Sequence, residues 1–329
     1  MKHNFSIKQV NSPFEDTAFF ARNVYKTEGF LFDCGRLGGL TNSEVLAISE
    51  IFISHTHIDH FYGFDRILRG TLLSGKRFRV FGPEGIIKNV RGKIDSYTWN
   101  LIKSYPVSYE VIELNSGKKE YETAVFSAAD GFEMEKGSIK HEDIVLGDGF
   151  RFDFDIFDHR VPSVGYRISE KEMVAFKKDV LETEGFLSGK WIGQLKKSVL
   201  AGELEGTVDA ESREGIVTMS IRDAQTRFLE DVKPQSVTFI TDIAPSDENF
   251  EKAVALANDT SILLIECVFL EEDKDHADFK KHLTMTLSKE IFRKSGADKV
   301  RFFHFAPRYD QFRREFYDRL YSDMEEFIL

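Results

Sequence analysis

Apolar residues along this chain fall into short runs, and the runs end on charged or imidazole side chains. FSIKQV, GFLFDCG and EIFISH read as strands, the third stopping where a cluster of histidines begins. FYGFDRILRG reads as helix, RFRVFG as strand, and PEGIIKNV as a helix opened by Pro83. Phe150, Phe152, Phe154 and Ile156 alternate with Arg151, Asp153 and Asp155, the period-two pattern of a half-buried strand, and that strand delivers His159. SVTFITD is a strand ending at Asp242, SILLIE one ending at Glu266, and KVRFFH one ending at His304. Between them ENFEKAVALAND and KKHLTMTLSKEIFRKSG read as helices, the latter with Leu283, Leu287 and Ile291 at spacing four and a stop at Gly296. A last helix is predicted over roughly 308 to 327, with Phe312, Phe316 and Leu320 on one face. Strands alternating with helices in both halves predict an α/β fold of sheets covered by helices.

One stretch breaks the pattern. Residues 171 to 235 carry helix formers, a run of lysines and then an acidic patch, which reads as an insertion within a single domain spanning 1 to 329. The plain reading is a solvated helical cover. The sharper one is a flap that meets substrate, with Lys177, Lys178, Lys190, Lys196 and Lys197 facing a phosphate backbone and Trp191 facing a base.

Composition narrows the class. Hydrophobic residues make up 42% of 329, with 31 Phe, so a large core is available and general disorder is excluded. The two cysteines, Cys34 and Cys267, lie far apart in apolar runs and read as small core residues rather than a disulfide. The N-terminal residues lack the apolar stretch of a secretory signal and no window reaches the length of a membrane span, so the expectation is a cytoplasmic protein without a membrane partner. A net charge of −11 disfavours a general nucleic-acid coat but leaves room for a local basic groove.

The chemistry concentrates in SHTHIDH, residues 54 to 60, which holds three of the nine histidines. On an extended segment alternate side chains face the same way, so His55 and His57 can grip one metal while Asp59 and His60 lie further round the turn. Two metals therefore fit, and His159, Asp242 and His304 are strand-end residues suited to complete such a centre. Imidazole and carboxylate ligands favour zinc, with manganese or iron as alternatives.

LFDCG at 31 to 35, FISHTHIDH at 52 to 60, HRVPSVGYRI from His159, FITD at 239 to 242 and HFAPRY at 304 to 309 resemble, in order, the motifs of the metallo-β-lactamase superfamily, and within it the ribonuclease Z branch of tRNA 3′-end endonucleases. The resemblance implies a four-layer αββα sandwich with metals at one edge. It implies His55, His57 and His159 on a first zinc, Asp59, His60 and His304 on a second, and Asp242 bridging both. Metals so held would bring a bridging water to hydroxide near neutral pH, giving hydrolysis without a protein nucleophile. Glu266 and His282, the latter before Leu-Thr, resemble the branch's Glu and H-[LS]-T histidine; a carboxylate orienting an imidazole makes a general acid for a leaving alkoxide. The catalytic residues implied are Asp59, Glu266 and His282, and the partner is RNA or another phosphodiester, with a homodimer allowed.

Two departures qualify the substrate. The chain has IKQVNSPFEDT and DCGRLGG where the branch has a Gly-Thr turn and Glu-Gly-Thr, and no proline lies between Pro162 and Pro234, where the bacterial tRNA-grasping arm is rich in Gly and Pro. Phosphodiester cleavage is thus better supported than tRNA as its substrate. A small-molecule hydrolase of the same fold (cyclic-nucleotide phosphodiesterase, lactonase or thioesterase) is the alternative, and a non-enzymatic metal protein would need the whole ligand set to be structural. His3, His141 and His276 read as surface histidines.

Overall fold

The apolar runs pair into two mixed sheets in a computed structural model that describes residues 4–147, 150–171, 173–324 and 327–329; His3 lies outside the described residues. The first sheet keeps chain order: β1 (Phe5–Gln9), β2 (Phe19–Asn23), β3 (Gly29–Phe32), β4 (Ile48–Phe52), β5 (Arg77–Gly82), β6 (Ser108–Glu113), β7 (Glu120–Ser127) and β8 (Met134–Lys140). Its central members β3 to β6 run parallel and its flanks antiparallel. The second sheet sets the hairpin β9 (Phe150–Asp158) and β10 (Pro162–Glu170) beside three mutually parallel strands, Ser236–Ile240, Ile262–Glu266 and Lys299–Phe303.

Side-chain parity assigns the layers. Along β2 and β3, Phe19, Phe30 and Phe32 face the second sheet while Phe20 and Leu31 face the helices outside; along Ile262–Glu266, Ile262 and Leu264 face inward and Leu263 and Ile265 outward. Strands buried on both faces therefore read as continuous apolar runs. Between the sheets lies an aromatic layer: Phe19 meets Phe303 at 4.8 Å, Phe32 meets Phe239 at 5.3 Å, and Phe52 meets Tyr166 at 5.1 Å between ring centroids. Helices cover both outer faces, giving four layers in the order αββα. Along β9 the exposed odd positions Arg151 and Asp153 give way to buried Phe157 where the helix Asp247–Leu256 covers the outer face. Cys34 and Cys267 are both fully buried, which pushes their thiols up.

Two expectations need correction. The helix expected from Lys280 onward is broken: one helix ends at Lys280, Lys281 turns left-handed (φ 64°), and a new helix, Met285–Ser295, starts from Thr284, whose hydroxyl accepts from the Leu287 amide. His282 thus lies in a loop. The terminal helix is shorter, a 3₁₀ turn at Pro307–Phe312 followed by Arg313–Tyr321, and Phe312 is exposed while Phe316 and Leu320 are buried. The chain also divides into two units, Met1–Ser169 with Gln235–Leu329 as one and Glu170–Pro234 as the other.

The smaller unit is not purely helical. It contains a strand pair, Met173–Phe176 with Leu229–Val232, and a hairpin, Thr207–Ser212 with Gly215–Ser220, besides its helices. Trp191 is 2% exposed and packs on Phe176, Phe186 and Phe228, so it serves this unit's own core and is not available to a base. Lys177 donates to the Thr226 carbonyl, Lys190 and Lys197 are exposed, Lys196 is half-buried, and the Lys178 side chain lies outside the described residues.

Two bonds tie the second sheet to the loop that carries the histidine cluster: the fully buried Tyr166 hydroxyl donates to the Ile53 carbonyl at 2.6 Å, and the Val164 amide donates to the Ser54 carbonyl at 2.8 Å. Tyr166→Phe leaves the Ile53 carbonyl short of its donor, and a loss of about 1–3 kcal/mol is expected, read as a lower urea midpoint with an unchanged m-value.

Candidate metal centre

Strands of both sheets end on one edge, and several of those ends carry the side chains that gather there. Asp33 follows β3, His55 and His57 follow β4, His159 follows β9, Asp242 and His304 follow strands of the second sheet, and Glu266 is the last residue of its strand. Ligand sites in α/β sheets form beyond such strand ends. Several of these residues turn sharply as the strand stops. Of the seven non-glycine residues with positive φ among the described residues, five are Asp33, Arg160, Asp242, Lys281 and His304, all within this edge. Each such conformation costs about 1–3 kcal/mol and recurs at functional sites.

Asp59 and His60 arrive on a one-turn helix, Ile58–Phe61, with His57 at its N-cap. That turn is held to the end of β3 by Cys34 N–H donating to the His60 carbonyl and Gly63 N–H donating to the Cys34 carbonyl. The approach is so close that a Cβ on Gly63 would overlap the Gly35 carbonyl, and one on Gly35 would overlap the Asp59 carbonyl.

The side chains gather into two groups that share one carboxylate. Ligand atoms of His55, His57, His159 and Asp242 lie within 4.8 Å of one another, as do those of Asp59, His60 and His304. Asp242 Oδ2 is 3.3 Å from His159 Nε2 and 3.6 Å from His55 Nε2, whereas its Oδ1 is 3.4 Å from His60 Nε2 and 3.8 Å from His304 Nε2. One oxygen faces each group. Asp59 Oδ2 closes the second, 3.4 Å from both His60 Nε2 and His304 Nε2. A third set, Asp242, Glu266, His282 and His304, overlaps these at the same 4.8 Å limit.

Second nitrogens of three of the imidazoles are already committed. His60 Nδ1 donates to Asp33 at 2.6 Å, His159 Nδ1 donates to the Lys281 carbonyl at 2.8 Å, and His55 Nδ1 lies 3.1 Å from the Ser54 hydroxyl. Asp33, fully buried, also accepts the Ser54 amide and hydroxyl. Such partners fix the ring tautomer and aim the other nitrogen. The motif LFDCG contained Asp33, yet no role was read for it; the signal was there, a carboxylate closing an apolar strand, as Asp242 does.

This donor set fits metal ions. His55 Nε2 and His60 Nε2 are buried with no hydrogen-bond partner, and His60 Nε2 lies 3.4 Å from both the Asp59 and the Asp242 carboxylates. A cation satisfies both. Burial, with neighbouring His60, lowers the His55 imidazole to about 2, and burial with neighbouring His159 lowers His57, so both are neutral and free to ligate. Burial opposes the charge on Asp242, but His304, His60, His282 and His55 outweigh it and hold the carboxyl well below its usual range. Asp59 is likewise lowered, against burial, by bonds to His304 and His60.

Beside the two groups stands a third feature. His282 Nδ1 lies 2.8 Å from Glu266 Oε2, and the fully buried Glu266 accepts the Ile243 amide on its other oxygen at 2.9 Å. Burial disfavours a charged His282, but Glu266 and Asp242 dominate and push it up to about 9. The ring lines a cleft of about 340 Å³ together with Asp59, Phe269, His276, Lys280, His304 and Arg308. His276 is therefore a half-buried cleft residue, not a surface one, and His141 is half-buried against Tyr121, Phe152 and Phe154 elsewhere.

Four layers with a histidine–aspartate metal site at the strand edge define a protein of the metallo-β-lactamase fold, and solved structures of that fold superpose on nearly the whole chain. Human tRNase Z, short form, matches with a TM-score of 0.53 at 16% identity, covering 92% of this chain and 93% of the other; the Bacillus subtilis metallo-β-lactamase fold protein YhfI matches at 0.54 and 12%, covering 97% and 93%. In sequence the chain is similar to ribonuclease Z: that of Nostoc punctiforme is 26% identical over 291 residues (86% of this chain, 77% of the relative), and that of Nanoarchaeum equitans is 26% identical over 316 (92% and 83%). No family model matches the chain.

If Asp33 aims His60, then Asp33→Asn should weaken metal retention roughly 10- to 100-fold while the fold survives. Chelator competition followed by elemental analysis, with circular dichroism as the folding control, checks it; retention equal to the parent protein would remove Asp33 from the site.

Proposed function

We propose that the chain is a ribonuclease Z-like, metal-dependent phosphodiesterase that cleaves RNA, with tRNA 3′ ends as the substrate its relatives suggest. The observation that carries the reading is the Glu266–His282 pair beside the carboxylate shared by two ligand groups. Support for the ligand roles comes from the grouping itself: His55, His57 and His159 for one ion, Asp59, His60 and His304 for the other, Asp242 between them. Zinc suits these imidazole and carboxylate donors, with manganese or iron as alternatives. When bound, such ions supply Lewis acidity for a phosphate oxygen and for the attacking water.

The rest of the chemistry falls to protein side chains. Glu266, fixed by the Ile243 amide, holds His282 by Nδ1, so the proton on the opposite nitrogen is the one the cleft can use. With its imidazole pushed up to about 9, His282 is protonated at neutral pH. It donates to the leaving alkoxide as the P–O bond breaks, and the Glu266 carboxylate then faces a neutral ring. An alkoxide leaves poorly without that proton; a thiolate or a nitrophenolate does not need it. A thioesterase would leave the pair idle, which is why the phosphodiester reading is preferred. No helix among the described residues is long and apolar enough to cross a membrane.

His282→Ala and Glu266→Gln should therefore lower kcat on an RNA substrate by about 10²- to 10⁴-fold. Metal content should stay at the parent level, and the loss on bis(p-nitrophenyl) phosphate should be far smaller. Equal losses on both substrates would mean that the pair does not protonate the leaving group. Failure of the intact protein to cleave any RNA would sink the reading itself.

A further inference from the structure

The helix that lends His276 and Lys280 to the cleft also carries an aromatic side chain that core packing does not explain. Phe279 is 62% exposed and sits in the helix Lys274–Lys280, three residues before His282 and two before Lys281, whose carbonyl holds His159. Rings connect it to the proton donor: His282 lies 6.2 Å from Phe269, Phe269 5.1 Å from His276, and His276 6.5 Å from Phe279. His276 and Phe279 share a helix face at spacing three, and His276 lines the cleft.

A single exposed phenyl ring is ordinary on any protein surface. What distinguishes this one is the pair of cations around it. The Arg160 guanidinium stands 5.5 Å from the ring centroid and the Lys280 ammonium 5.9 Å. Arg160 adjoins His159 in sequence and is held in a left-handed turn (φ 62°) by its amide donating to Asp158. Among the described residues neither cation has an ion-pair partner, although the chain carries a net charge of −11. An exposed aromatic ring with positive charges close by is the kind of arrangement that binds single-stranded nucleic acid, stacking the base and taking the phosphates.

We propose that Phe279 is the stacking platform for a nucleobase next to the scissile phosphodiester, with Arg160 and Lys280 engaging the flanking phosphates. This rests on the RNA-cleaving reading above. A base laid on the ring positions the strand so that its leaving oxygen reaches His282, which makes Phe279 a binding residue and not a participant in the chemistry.

The test pairs enzyme variants with abasic substrates. A short RNA is prepared intact and with an abasic nucleotide at each of the two positions flanking the cleaved bond, and kcat/KM is measured for the parent, Phe279→Ala and Phe279→Trp. Phe279→Ala should lose about 5- to 150-fold on intact RNA, mostly in KM, the range expected for stacking one base. Phe279→Trp should restore it. At one abasic position the parent should lose a similar factor and Phe279→Ala nothing further. A Phe279→Ala enzyme within twofold of the parent, or abasic losses that add in full to the variant's loss, would overturn the platform while leaving the cleavage reading intact. A parent that cleaves no RNA overturns both.

Discussion

Everything at this edge depends on one buried carboxylate. Asp242 is 2% exposed, and an ion so placed costs several kcal/mol unless positive or polarisable partners surround it. Its partners are imidazoles brought by β4, β9, the Ile58–Phe61 turn and the Lys299–Phe303 strand, with one carboxylate oxygen directed to each group. Those elements come from both sheets. The sandwich must therefore hold its two layers in fixed register for the four nitrogens to meet at one point, and the aromatic layer between the sheets, with the Tyr166 bond to the Ile53 carbonyl, is what supplies that register.

The edge is locally unfavourable and globally supported. Left-handed turns at Asp33, Asp242 and His304, and buried imidazole nitrogens without hydrogen bonds, all work against folding. Strand cores buried on both faces offset them. The same economy explains the positions of the second partners: Asp33, Ser54 and the Lys281 carbonyl each satisfy one ring nitrogen, so that the remaining nitrogen is aimed rather than free to rotate. Glu266 does the same for His282, and in the proposed reading that ring keeps its proton for chemistry.

Much of this was readable from the chain because strand ends are punctuated. A continuous apolar run that stops on Asp, Glu or His announced Asp242, Glu266 and His304, and the SHTHIDH run announced the His55, His57, Asp59 and His60 that the fold gathers at the edge. What was missed depends on distance in sequence or on local breaks. Asp33 acts through His60, a partner 27 residues away, and nothing local states that pairing. The break at Lys281–Thr284 was hidden by helix-forming residues on both sides; only Thr284 as a cap marks it. Trp191 between lysines looked like a nucleic-acid contact, yet an aromatic needed by a small core looks the same in sequence. Phe279 carried no pattern at all, because its meaning comes from Arg160, brought beside it by folding.

If Asp242 serves two cations at once, metal stoichiometry measures it directly. After dialysis against zinc and removal of loose ions, elemental analysis of the parent protein should give about two ions per chain, and Asp242→Ala at most about one. A folded Asp242→Ala protein that still held two, or a parent that held none, would contradict the bridging role on which the site is built.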